Sequence, residues 1–131
     1  MEKYEKIQEE NNKLLKTFEE WLLNRNYSRK AVKRLISDVD LFINQFIAME
    51  EEISPREVDG YNLDYFFRWC IDKWMLNTAS GLISVVSSIQ LFYEYLNDSE
   101  PLDNIGELRE ICAKKNFYVK RFNSHERLLH R

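Results

Sequence analysis

The sequence predicts an all-α fold, a single compact bundle of four to five helices. Three observations predict it. Gly 3 and Pro 2 are too few for the tight turns of a β sandwich or barrel. Apolar residues recur at spacings of three and four in one segment after another, which is the period of a helix face. A chain of 131 residues, 44% hydrophobic and 31% charged, can bury one core and no more, and is too apolar to be disordered.

The first helix is predicted over residues 2–23, where Tyr4, Ile7, Asn11, Leu14, Phe18 and Trp21 make one face. The same spacing is a three-heptad seam with a polar Asn11 in it. That seam either packs into the chain's own core or pairs with another chain, as in a homodimer. Asn24, Arg25 and Asn26 end the helix.

Ser28 is the natural N-cap of a second helix over residues 29–48. Val32, Leu35, Ile36, Val39, Phe42, Ile43 and Phe46 form its apolar stripe, and Arg29, Lys30, Lys33 and Arg34 fall on the other side. The acidic run Glu50–Glu52 and the turn Ser54-Pro55 follow.

A third helix over 63–76 buries Leu63, Phe66, Phe67, Cys70, Ile71, Trp74 and Met75, and residues 77–81 break it. The fourth, over 80–96, carries Leu82, Val85, Val86, Ile89, Tyr93 and Leu96, with a small-residue face at Gly81, Ser84 and Ser88. After the turn at Asp98-Ser99-Glu100-Pro101, a last helix over 105–115 uses Ile105, Leu108, Ile111 and Cys112. The expected division is a helical domain over 1–115 and a weakly patterned basic tail over 116–131.

Several function classes are excluded. No apolar run approaches the ~20 residues needed to span a bilayer, so no membrane role is expected. The start, MEKYEKIQEENNK, is acidic and lacks an apolar stretch, so no secretory signal is expected. Cys70 and Cys112 sit among apolar neighbours and read as core residues, which fits a reducing cytoplasm better than a disulfide framework. There is no Gly-rich phosphate loop, CxxC, HExxH or GxSxG, and Asp38 and Asp40 project about 200° apart on a helix. His125 and His130 are the only histidines, too few for a metal site without further ligands. The sequence therefore predicts no enzyme, no metal and no small-molecule cofactor.

Charge is the informative feature. The net charge is −3, yet residues 24–37 hold five cations and no acid: Arg25, Arg29, Lys30, Lys33 and Arg34. Residues 112–131 hold six cations against one acid, including Lys114, Lys115, Lys120 and Arg121. Residues 38–64, with eight acids and one cation, are the most acidic stretch. Cations in the first turn of a helix oppose the positive end of its dipole by about 0.3–1 kcal/mol each. Free N–H groups, the Ser28 hydroxyl and four to five cations make a site suited to an anion such as phosphate. The alternative is a solvated basic face balanced by the neighbouring acidic segments.

FEEWLL (18–23), YSRKAVKRLISDVDLFINQF (27–46), residues 53–69 and LISVVSSIQLFYEYL (82–96) together resemble the N-terminal core-binding domain of tyrosine recombinases, the phage-integrase family. The resemblance covers residues 14–96 and rests on a Tyr-Ser helix start, a following Asp-hydrophobic-x-x-Phe, and an aromatic-rich helix ending in Tyr-x-Tyr-Leu. It implies a SAM-like bundle that clamps one face of duplex DNA, with phosphate contacts at Ser28, Arg29, Lys30, Lys33 and Arg34. The family's catalytic half, with its Arg, Lys, His-x-x-Arg and nucleophilic Tyr, has no room in this chain.

There are departures. Ala31 stands where the family has Thr, and no cation lies between Lys73 and Glu94, where the family's fourth helix carries several. The chain is then a piece of a longer recombinase or a stand-alone module of a mobile element.

Three functions follow as expectations. One is a non-catalytic duplex-DNA-binding module that contacts phosphates through Arg25, the start of the second helix and the basic tail. Another is a protein-interaction or regulatory module that has lost the DNA face and binds through the first helix or the small-residue face of the fourth. The third is an acidic mimic using residues 38–64. Cations interleaved with Asp38, Asp59 or Glu107 would point away from DNA.

Overall fold

The computed structural model describes residues 1–73, 76 and 78–129, with side chains as far as Glu126. Expectations for Trp74, Met75, Asn77 and His130 lie outside the described residues. Among the described residues every regular element is helical. The order is α1 (Lys3–Asn24), α2 (Arg29–Asp40), a π-helical segment (Leu41–Glu51), a 3₁₀ turn (Pro55–Glu57), α3 (Gly60–Asp72), α4 (Ala79–Ser99), α5 (Ile105–Cys112) and α6 (Lys115–Leu129). Six α-helices thus stand where four to five were expected. None is long and apolar enough to cross a membrane.

α1 ends as its sequence dictates. Asn26 adopts the left-handed conformation (φ 66°) that asparagine tolerates better than most residues. The Asn26 and Tyr27 amides then donate to the Leu23 and Leu22 carbonyls, a Schellman closure. Ser28 starts the next helix at once, its Oγ accepting from the Ala31 amide at 3.1 Å. α1 and α2 therefore form a hairpin with almost no loop.

α2 passes into the π-helical segment without leaving right-handed helical backbone. Side-chain amides of α1 meet this segment. Asn11 Nδ2 donates to the Ile43 carbonyl at 2.9 Å and to Asn44 Oδ1 at 3.0 Å, and Gln8 Nε2 donates to the Asn44 carbonyl at 3.0 Å. Asn44 Nδ2 donates in turn to Asp40 Oδ1 at 2.6 Å and Asn12 Oδ1 at 3.1 Å. Donors inserted into a helical ladder are a recognised cause of its departure from α geometry. The widened turns bring Asn44 and Ala48 into the core and carry the helix to Glu51, three residues beyond the predicted end.

Of the α1 seam, Asn11 (1% exposed) and Phe18 are buried, while Tyr4, Ile7, Leu14 and Trp21 are half-buried; Leu15 and Leu22, beside the seam, are buried as well. Asn11→Ala is expected to cost about 1–3 kcal/mol, because it strands buried acceptors on Ile43 and Asn44. A urea melt with unchanged denaturant slope would read the loss. A shift in midpoint within error would mean that the amide network contributes nothing net.

α3 begins three residues earlier than its apolar pattern suggests. Asp59 and Asn62 close a capping box, each side chain accepting from the other's amide at 2.9 Å. Gly60 sits against α5, and its amide donates to Glu107 Oε1 at 3.0 Å. A Cβ at Gly60 would lie 2.5 Å from that oxygen, so a larger residue here would displace the Glu107 side chain and break this hydrogen bond.

α4 lies at the centre and touches each of the other five helices. Thr78 caps its start, and Arg56 donates to the Leu96 and Glu100 carbonyls at its end. Phe66 packs 4.7 Å from Phe42 and 5.2 Å from Phe46, while Phe18 packs 5.4 Å from Phe92. Cys70 and Cys112 are buried free thiols, and burial pushes the latter's pKa to about 12.

The tail is the main departure from expectation. Residues 115–129 form a helix packed on α3 and α4, with Tyr118 fully buried and Phe122 6% exposed. Tyr118 Oη donates to Asp64 Oδ1 at 2.5 Å, and its ring lies 5.1 Å from Phe67. Burial first, then the Asp64 carboxylate, drives the phenol pKa well up. Tyr118 is a core residue.

Candidate nucleic-acid interface

The exposed cations of the first island occupy the first two turns of α2. Because residues four apart share a helix face, they divide into two pairs. Arg29 and Lys33 line a cleft of about 330 Å³ against α1, with Leu23, Val32 and Ile36 as apolar walls and Glu19 at its edge. Lys30 and Arg34 line a second cleft of about 420 Å³ with Ser28 and Ala31.

Among the described residues, none of these four cations has a carboxylate oxygen within 4 Å. Glu19, though it shares the first cleft, makes no such pair. The helix start therefore carries cations without direct ion pairs, added to the positive end of its own dipole.

Asp38, Asp59 and Glu107, the acids whose interleaving would have pointed away from DNA, are engaged elsewhere. Asp38 Oδ2 accepts from Ser88 Oγ at 2.7 Å and Ser84 Oγ at 3.3 Å. Asp59 caps α3, and Glu107 accepts from the Gly60 amide. The small-residue face of α4 is likewise used internally, since Ser84 and Ser88 bind α2 through Asp38.

Not every expected cation joins the group. Arg25 lies 3.7 Å from the ring centroid of Trp21 and 3.5 Å from Asp98 Oδ2, which directs it toward the end of α4. Lys114, Lys115, Lys120 and Arg121 sit at the α5–α6 junction and along α6, and Arg121 is 3.5 Å from Asp72. Lys114 and Lys120 are exposed.

Among the described residues, no group of three or more His, Cys, Asp or Glu is placed to hold a metal ion. Tyr118, the only tail tyrosine, is sealed in the core against Asp64.

What the fold and site define is a six-helix all-α bundle with an unpaired cationic helix start. Comparisons with protein-family models, curated proteins and solved structures find no significant match.

Sequence patterning missed one surface feature, the aromatic notch between α3 and the π-helical segment. Its signal was present: Tyr61, Tyr65 and Trp69 recur every four residues along α3, outside the apolar stripe. Tyr61 and Tyr65 are 72% and 46% exposed.

Proposed function

We propose that the chain is a non-catalytic module that binds duplex DNA through the start of α2, in the manner of the tyrosine-recombinase core-binding domains its sequence resembles. The observation carrying this reading is that Arg29, Lys30, Lys33 and Arg34 are exposed and unpaired around a Ser-capped helix start. Phosphate oxygens would accept from the guanidinium and ammonium groups on both sides of α2, and the helix dipole adds to the attraction. Lys114 and Lys120 would add phosphate contacts where the DNA path reaches α6. These contacts carry no base-reading chemistry, so the affinity they supply is electrostatic and largely independent of sequence.

Fluorescence anisotropy with a labelled duplex, titrated across a salt series, tests this. Each neutralised phosphate contributes about −0.9 to the log–log salt slope, so four contacts give a slope near −3.6. Absence of binding at low salt, or a slope near zero, would overturn the reading.

A further inference from the structure

The notch between α3 and the π-helical segment has the chemistry of a cation receptor. Phe46, fully buried, lies behind it, and Tyr65 and Trp69 supply the accessible aromatic wall. Trp69 lies 5.2 Å from Phe46, and Tyr65 lies 5.8 Å from it on the neighbouring turn of α3. Glu50, Glu51 and Lys73 complete the lining of this cavity of about 370 Å³.

Two independent features of this space agree. Aromatic faces attract positive charge through the ring quadrupole, and carboxylates attract it through their own charge. Among the described residues, neither Glu50 nor Glu51 has an ion-pair partner, so the two acids outweigh Lys73. The π-helical geometry, at over four residues per turn, is what sets Phe46, Glu50 and Glu51 on one side.

The surroundings identify the source of the cation. Tyr61 extends the aromatic row beyond the notch, 6.3 Å from Tyr65, and offers an exposed platform for more than a single small ion. Exposed tyrosines beside a pocket, with the half-buried Trp69 in its wall, are the residue types that anchor protein partners. Nucleic acid is disfavoured here, because Glu50, Glu51 and Glu52 would repel phosphates.

We propose that this notch receives an arginine or lysine side chain from a basic segment of a partner protein, with Tyr61 supporting the flanking residues. The inference stands apart from the DNA reading, since it uses the acidic rather than the cationic surface.

The test is anisotropy of the full chain with a fluorescein-labelled peptide of alternating glycine and arginine, its lysine counterpart, and a citrulline version that keeps the shape without the charge. Binding of the charged peptides and not the citrulline one is expected. Tyr65→Ala, and separately Glu50→Gln with Glu51→Gln, should each weaken it about tenfold. Glu9→Gln with Glu20→Gln, which changes net charge equally on α1, should leave it intact, as should Arg29→Glu with Lys33→Glu.

Equal weakening by both glutamate pairs would reduce the effect to overall acidity and overturn the proposal. So would absence of peptide binding, or binding of tetramethylammonium without the peptides. Should Tyr65→Ala lower the thermal midpoint, the glutamate pair alone decides.

Discussion

Removing residues 115–131 is expected to abolish cooperative unfolding of the rest. The deletion strips Tyr118 and Phe122 from the core, uncovers Phe67, and leaves Asp64 without its phenolic donor. Losing one large buried aromatic costs about 3–5 kcal/mol. A domain of this kind has only about 5–15 kcal/mol in total. Two such losses, even short of additive because the rings are neighbours, consume most of it.

Circular dichroism of the 1–114 chain should therefore show a broad, shallow melt. Tyr118→Ala in the whole chain should cost about 3–5 kcal/mol with a cooperative transition retained. Tyr118→Phe, which keeps the ring and removes only the hydrogen bond to a carboxylate, should cost about 1.5–3 kcal/mol. A 1–114 chain melting as sharply as the parent would restore the tail to an appendage of a 1–115 domain.

Arg29→Glu with Lys33→Glu is expected to weaken duplex binding about tenfold or more and to flatten the salt slope by about 1.8, two contacts' worth. The fold should not suffer. An acid in place of a cation near a helix start reverses an unfavourable dipole interaction of about 0.3–1 kcal/mol per charge, so the melting temperature should hold or rise slightly. Lys30→Glu with Arg34→Glu tests the second cleft in the same way. A drop in melting temperature of many degrees would instead make these cations structural. Unchanged binding with an unchanged melting temperature would end the DNA reading.

These two predictions draw on unequal shares of the sequence. The cationic helix start was fully legible, because a Ser cap followed by Arg-Lys and Lys-Arg four residues apart fixes position and face by local geometry alone. Arg25 was not, because its partners Trp21 and Asp98 meet only when the ends of α1 and α4 come together.

Asn11 was legible as an anomaly in an apolar seam. Its acceptors were not, since they depend on a ladder that leaves α geometry after Asp40. α6 was hidden for a different reason. It buries only two large anchors among the described side chains, Tyr118 and Phe122, one turn apart, amid cations that suggest solvent. The start of α3 was obscured because its first turn is set by the Asp59–Asn62 capping box and not by apolar residues.

The uninterrupted rod formed by α2 and the π-helical segment runs from Arg29 to Glu51 and carries charge the wrong way round at both poles. Cations crowd its positive end and glutamates its negative end, so the backbone and the side chains repel each other at each extremity. Dissolved ions screen such repulsion, so moderate salt is expected to stabilise the two ends of this rod, read as a rise in the thermal midpoint.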